Sequence, residues 1–132
     1  MTEAQNEESH RQRAHLTAPG STYVELDLAG ELESLHREAA WNTGHNAKTL
    51  VKYDDFRIVL MALKAHGRMP THQASGRISI HTIRGRIQVH ADGRTFILPV
   101  GGLLTLDRDV RHDVEALEDS AFVLTIAWPR KD

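Results

Sequence analysis

The first clear pattern in the chain is a helical one, between Asp27 and Trp41. Apolar residues there recur at intervals of three or four, so they share one face of a helix, and charged residues occupy the other face. Asn42 to Gly44 ends the run. The pattern predicts one helix over about residues 28–40, with its apolar face formed by Leu28, Leu32, Leu35 and Ala39.

After Gly44 the chain changes to short runs rich in β-forming residues. Ile58–Leu63 and Ala121–Trp128 are almost continuously apolar, which predicts strands buried on both faces. One face of each would line a core, and the outer face needs a helix, a second sheet or a partner chain to cover it. The predicted strands are 49–53, 56–63, 77–83, 86–90, 94–98, 103–106, 112–117 and 121–128.

The turns between these strands favour antiparallel pairing. Asp92-Gly93 supplies the positive φ angles of a type I′ turn, so the flanking runs are predicted to form a hairpin. No helical segments alternate with the strands, which excludes a βαβ fold. We therefore expect an all-β sandwich or small barrel with one short N-terminal helix.

Composition narrows the class of protein. The chain has 132 residues, of which 40% are hydrophobic, so one domain is expected. It has no Cys, which excludes disulfide scaffolds, Cys-ligated metals and thiol nucleophiles. The formal charge of −2 is not that of a nucleic-acid-binding or membrane-anchored protein. With a polar start and no apolar spanning segment, a cytoplasmic location is expected. Residues 1–20 are predicted to be a disordered tail and 21–132 a single domain, with the barrel at about 49–128.

The chain contains an unusually large number of His residues, nine in all. His is both a titrating group near neutral pH and a common metal ligand. His66 and His72 flank the turn Gly67–Pro70, and His112 follows the turn 107–109. Loops and strand ends at the mouth of a barrel are frequent places for small-molecule sites. Arg57, Arg77 and Arg86 would be able to pair with a carboxylate there, although Arg residues in strands are usually solvated.

The spacing of these residues resembles that of the cupins. The first cupin motif is Gly, five residues, His-x-His, three or four residues, Glu, six residues, Gly. In the same register this chain has His66, five residues, His72-Gln73-Ala74, three residues, Ile78, six residues and Gly85. The second motif is Gly, five residues, Pro-x-Gly, two residues, His, three residues, Asn. Here the residues are Gly101, five residues, Asp107-Arg108-Asp109, two residues, His112, three residues and Ala116.

The resemblance covers roughly Thr49 to Trp128, and the segments 46–52 and 114–122 also look like those of small bacterial single-domain cupins. It implies a jelly-roll barrel of six to eight strands, often dimeric. Metal-binding cupins use three His and one Glu. His72 and His112 match two of these ligands, whereas Ala74 and Ile78 stand where the other His and the Glu would be and have no ligating atom. The motifs are thus a degenerate form of the cupin metal site.

Three functions remain open at this point. In the first, a small organic ligand binds in the barrel at His72, His112 and Gln73, against an apolar wall of Ile78 and Ile80, with an incomplete or absent metal site.

In the second, the chain is a metal-dependent enzyme of the dioxygenase or isomerase type. A divalent transition metal is then the cofactor, held by His72 and His112 with extra ligands among Asp107, Asp109, His66, His81 and His90. In the third, the chain is a dimerising structural or regulatory module. A homodimer is the expected assembly, the catalytic residues are unknown, and whether the chain is an enzyme stays open.

Overall fold

A computed structural model describes residues 22–129, so the predicted disordered tail, 1–20, lies outside the described residues. Within them the chain forms one α-helix, one short 3-10 helix and nine strands. They are α1 (Leu28–Arg37), the 3-10 helix Ala39–Thr43, β1 (His45–Lys52), β2 (Phe56–Leu63), β3 (Arg68–His72), β4 (Arg77–Arg84), β5 (Arg86–Ala91), β6 (Arg94–Pro99), β7 (Leu103–Leu106), β8 (His112–Ala116) and β9 (Ser120–Ala127).

The strands form two antiparallel sheets. The five-stranded sheet has the order β1-β2-β9-β4-β7, and the four-stranded sheet has the order β3-β8-β5-β6. Every pairing between neighbouring strands of the described chain is antiparallel. The expected all-β jelly roll with one short N-terminal helix is confirmed.

The main hydrophobic core lies between the two sheets. Alternate residues of each strand point inward, as the pleat requires. From the five-stranded sheet come residues such as Met61, Ile80 and Phe122, and from the four-stranded sheet residues such as Val89 and Val114. The interior of this barrel is therefore packed with side chains, as expected for a barrel of this size.

Helix α1 covers the outer face of the five-stranded sheet. Leu32 and Leu35 are buried against Leu60 and Ala62 of β2 and Ala121 of β9 in a second apolar cluster. At its edge the buried Lys48 ammonium donates a hydrogen bond of 2.6 Å to Ser34 Oγ. Strands β2 and β9 are thus apolar on both faces because one face meets the barrel interior and the other meets α1. No second chain is needed to explain this pattern.

The predicted hairpin is confirmed. Strands β5 and β6 pair antiparallel from Ala91 and Arg94 outward, and Asp92 and Gly93 both have positive φ, at 52° and 68°. These are the signs that a type I′ turn requires.

Three details of the expected architecture are wrong. Strand β3 stands where the sequence indicates only a turn at Gly67–Pro70. It is an edge strand, and an edge strand tolerates Pro70, which has no N–H to donate to a ladder. The barrel begins at His45 rather than 49, and α1 ends at Arg37 because Glu38 is extended. The described chain has nine strands, not six to eight.

The four glycine positions of the cupin motifs have a common backbone conformation. Gly85 and Gly101 have φ of 73° and 88°, and the two non-glycine residues at such positions, His66 and Asp109, have φ of 67° and 62°. The left-handed region favours glycine, so the motif spacing reflects four turns of fixed handedness even where the residue has changed.

Among residues 22–129, no helix is both long enough and apolar enough to span a bilayer.

Candidate functional site

His72 and His112 face each other at one end of the barrel. They are partners in the β3–β8 ladder, and their ring centroids are 4.2 Å apart with the planes tilted by 59°. His112 alternates with the core residues Val114 and Ala116, so its side chain points into the barrel. His112 is 2% exposed, whereas His72 is exposed to solvent. We call this part of the barrel, with the loops 73–76 and 107–111, the histidine end.

Both rings are held in the same way. The Nδ1 atom of His72 lies 3.0 Å from the Pro70 carbonyl oxygen, and that of His112 lies 3.0 Å from the Val110 carbonyl oxygen. A carbonyl only accepts, so each Nδ1 carries the proton and donates it. In the neutral ring, each Nε2 then carries a lone pair. The pair therefore offers two hydrogen-bond acceptors to a ligand.

Burial keeps His112 neutral. Desolvation lowers the pKa of His112 below its usual 6.5, and the neighbouring His72 lowers it further. The hydrogen bond to Val110 and the charge of Asp113 act in the opposite direction but do not compensate. At neutral pH the His112 Nε2 lone pair is thus available.

The residues of the histidine end do not make a metal site of the cupin type. Ala74 packs against the core, and Ile78 is 5% exposed within it, so apolar side chains occupy the positions of the missing ligands. No cluster of three or more His, Asp or Glu side chains suited to a metal exists in residues 22–129. Two imidazoles fall short of the three protein ligands that catalytic zinc and non-haem iron sites use.

The other candidate ligands do not join His72 and His112 in a metal-binding cluster within residues 22–129. His81 is exposed on the outer face of β4, and His90 is on the outer face of β5, where it bonds to Asp113. Asp107 forms an ion pair with Arg77 at 3.0 Å. His66 precedes β3 at the opposite end of the barrel, beside the carbonyl of Ala116. Asp109 does belong to a loop at the histidine end, since its N–H donates to the Ala74 carbonyl.

The remaining predicted ligand-binding residues are Gln73, Ile78 and Ile80. Gln73 directly follows His72 and is exposed. Ile78 and Ile80 point into the barrel, where both are buried in the core. The apolar wall predicted from the sequence is present, and its role in ligand binding stays a prediction.

Sequence reasoning underrated one residue, Arg57. It is only partly exposed: it lies on the interior side of β2, and its Nε atom is buried without a hydrogen-bond partner in the described chain. Its guanidinium carbon lies 5.3 Å from the ring centroid of Trp128. The sequence contains an indication of this position, because alternate residues of a strand share a face. Arg57 is therefore on the same face as the apolar residues Val59, Met61 and Leu63.

Sequence reasoning also missed a His–carboxylate pair on the outer face of the four-stranded sheet. The His90 Nδ1 donates to Asp113 Oδ1 at 2.7 Å, and Arg68 lies 3.5 Å from the other carboxylate oxygen. The His90 Nε2 accepts a hydrogen bond from the Gln88 amide at 3.1 Å. Both ring nitrogens are occupied within the protein, so the pair stabilises the sheet rather than offering an acid or base. Its two residues are far apart in sequence, and only the β5–β8 register brings them together.

A groove of about 440 Å³ crosses the outer face of the five-stranded sheet at β4, β7 and β9. Its polar side chains are hydroxyls, such as Ser79 and Thr125, and the Arg77–Asp107 ion pair. Those two charges satisfy each other, so the groove presents no uncompensated group. The histidine end remains the better candidate site.

Comparison with known proteins gives matches at the level of structure. No family model matches the sequence, and no curated protein matches it significantly. A conserved protein of unknown function from Streptococcus pyogenes superposes with a TM-score of 0.70 at 19% identity, over 87% of this chain and 96% of that one. A cupin superfamily protein from Desulfitobacterium hafniense gives 0.62 at 12%, over 64% and 78%. KdgF from a Halomonas species gives 0.60 at 23%, over 68% and 83%.

Two facing antiparallel sheets with a helix packed outside define a small jelly-roll barrel. The solved structures that share this architecture include several cupins, so the protein is a cupin-fold protein. At these identities the likeness establishes the fold alone, because cupin barrels and other widespread folds host unrelated functions.

Proposed function

We propose that the protein binds a small organic ligand at the histidine end of the barrel, without a resident metal of the cupin type. The observation that supports this most directly is the His72–His112 pair, in which both Nδ1 atoms are fixed by backbone carbonyls and both Nε2 atoms face outward from those bonds. Such a pair is oriented before any ligand arrives, which reduces the entropy cost of binding.

The surroundings of the pair favour an organic ligand. Apolar side chains such as Ala74, Val110 and Trp128 are only partly buried where they meet the core. A mostly apolar wall with a few convergent polar groups is typical of small-molecule sites. The two Nε2 lone pairs would accept hydrogen bonds from hydroxyl or N–H groups of the ligand.

The metal-dependent enzyme is the less favoured alternative. The Nδ1 atoms of His72 and His112 donate to backbone carbonyls, as those of metal-binding imidazoles commonly do. A third ligand, however, is lacking within residues 22–129. Elemental analysis of the purified protein tests it. Stoichiometric transition metal, lost in both His72→Ala and His112→Ala, would overturn our proposal and favour the metal-dependent alternative.

The binding proposal is tested by a ligand-observed NMR screen of a small-molecule fragment set against the full chain. We expect hits that are displaced or lost in His72→Ala and in His112→Ala. His81→Ala is the matched control, because His81 is an exposed strand histidine on the outer face of the barrel. Hits that persist in both site variants, or that vanish equally in the control, would refute binding at the histidine end.

A homodimer and a cytoplasmic location are the remaining parts of this proposal. The dimer is no longer required to cover β2 and β9, but exposed apolar side chains at Ile97, Val100 and Leu103 support association along β6 and β7. Light scattering coupled to size exclusion distinguishes a dimer from a monomer. The absence of Cys supports a reducing compartment, which fractionation of the native host tests.

A further inference from the structure

Arg57 is a partly buried residue at the histidine end, and its Nε atom is fully buried. In β2 the residues Val59, Met61 and Leu63 belong to the barrel core, whereas Ile58 and Leu60 pack towards α1. Arg57 shares the side of the first group, and its cross-strand partner Ile126 is also a core residue. The Arg57 side chain therefore starts on the interior side of β2, near the end of the barrel, where it is partly buried.

The Nε–H of Arg57 is a donor without an acceptor. It is buried and has no hydrogen-bond partner in residues 22–129, and no carboxylate of that part of the chain forms an ion pair with this guanidinium. Leaving a buried donor unpaired costs about 1–3 kcal/mol, and more for a charged group. An acceptor that the chain itself does not supply would remove this cost.

Arg57 lies at the same end of the barrel as the histidine pair. The loop 73–76 leads from His72 to Arg77, whose cross-strand partner Ala127 also pairs with Phe56 at the start of β2. Trp128 connects the two sides: the Arg57 guanidinium lies against its ring, and its indole N–H donates to Ser75 Oγ in that loop at 2.7 Å. The contact fixes the orientation of the indole plane against which the guanidinium lies.

Arg57 and the histidine pair together form the two sides of one candidate binding site. The five-stranded sheet contributes a cation with an unused donor, and the four-stranded sheet contributes two imidazoles whose Nδ1 atoms are already bonded to carbonyls, which leaves the Nε2 atoms for a ligand. Guanidinium groups bind carboxylates through paired N–H donors, and imidazole Nε2 accepts from hydroxyl groups.

We infer that Arg57 is the anion-binding residue of the ligand site and that the ligand is a small hydroxycarboxylate. Its carboxylate bonds to the Arg57 guanidinium beside Trp128, and its hydroxyl groups donate to His72 and His112. The inference rests on the proposed function, since it names the ligand class of the same site.

The test uses a panel of small hydroxycarboxylic acids, each paired with its primary amide, titrated into the isotope-labelled full chain. Two sets of NMR signals are followed: the Arg57 Nε–H correlation, and the ring signals of His72 and His112. We expect acids to move both sets and amides to bind at least about tenfold more weakly, a difference of about 1.4 kcal/mol. Arg57→Gln should abolish the preference for acid over amide, and Arg57→Lys, which keeps the charge but not the planar donor fork, should restore it in part.

Arg77→Gln is the matched control. Arg77 starts β4 at the same end but on the outer face, where it pairs with Asp107, so its loss should leave acid binding unchanged. If acids and amides bind equally, or Arg57→Gln binds acids as the wild type does, the carboxylate inference is overturned while barrel binding stands. If no compound of either series moves the His72 and His112 signals, the hydroxycarboxylate inference fails, and the fragment screen described above then decides separately whether the proposed function stands.

Discussion

His66 and Asp109 have the same left-handed backbone conformation, with φ of 67° and 62°, in the turns that lead into β3 and β8. Each turn directs the strand that carries one histidine of the pair, His72 or His112. Both positions are glycine in the motifs that this chain resembles. The chain therefore has the same turn geometry although these two residues carry side chains. The left-handed conformation costs an ordinary L-residue about 1–2 kcal/mol.

The first prediction follows for His66. His66→Gly relieves the left-handed strain at the expense of a more flexible unfolded chain, so we expect a gain of about 1 kcal/mol in the free energy of unfolding. Asp109→Gly should gain less, since Asp tolerates this conformation better. Urea denaturation measures both. His66→Ala is the control that removes the imidazole without freeing φ, and a gain as large as that of His66→Gly would show that the side chain, not the backbone, is the cause.

The second prediction concerns acid. The pKa of His112 is lower in the folded protein than the usual 6.5, mainly through burial, so the unfolded chain takes up a proton first as the pH falls. Stability from this group is complete above 6.5 and is lost as the pH falls from 6.5 to the folded-state pKa. Thermal unfolding followed from about pH 8 to pH 5 should show this decline, and His112→Gln should flatten it. An equal slope in wild type and variant would assign the effect to another group.

The third prediction concerns the His90–Asp113 pair. Burial raises the pKa of the Asp113 carboxyl, but the hydrogen bond from His90 and the charges of His90 and Arg68 outweigh it, so the pKa lies below the usual 3.8. Its contribution to stability is therefore present above pH 3.8 and is lost as the pH falls through the folded-state pKa. Asp113→Ala removes the acceptor of the His90 Nδ1–H, while the exposed Arg68 guanidinium is solvated instead, so the cost should be about 0.5–1.5 kcal/mol at neutral pH in a urea titration.

Asp92→Asn is the control for Asp113. Asp92 lies in the exposed turn of the neighbouring hairpin, and Asn accepts the same positive φ, so stability should not change. If Asp113→Ala is as stable as this control, the outer-face pair is not a stabilising element of the four-stranded sheet.

The sequence predicted most strands because their signals are local. Period-two alternation and Asp92-Gly93 specify β5, β6 and their turn without reference to the rest of the chain. Strand β3 carries no such signal, since it has Pro70 and only one partly buried apolar residue, Met69, and it forms because β8 offers it a ladder. A strand that forms because of its partner strand cannot be predicted from the local sequence pattern.

The site was predictable in part. The resemblance in spacing selected His72 and His112, and the structure brings their rings together. The interior position of Arg57 also followed from alternation along β2, but its missing hydrogen-bond partner did not, because that depends on every strand packed around it. The pairing of His90 with Asp113 likewise depends on the β5–β8 register. Long-range register is the information that one sequence lacks.

The last prediction is that Arg57 is retained at a cost in stability. Arg57→Met removes a buried N–H that has no acceptor and keeps an unbranched side chain of similar length against Trp128. The lost cation–π contact is worth about 0.5–1 kcal/mol at a site with some exposure, whereas the unpaired donor costs about 1–3 kcal/mol. We therefore expect the free energy of unfolding to rise by about 1 kcal/mol, measured by urea titration without ligand. Arg77→Met, which loses only an exposed ion pair, should not be stabilised. A loss of stability in Arg57→Met would mean that this guanidinium stabilises the fold. It would then contradict the idea that Arg57 lowers stability in exchange for ligand binding.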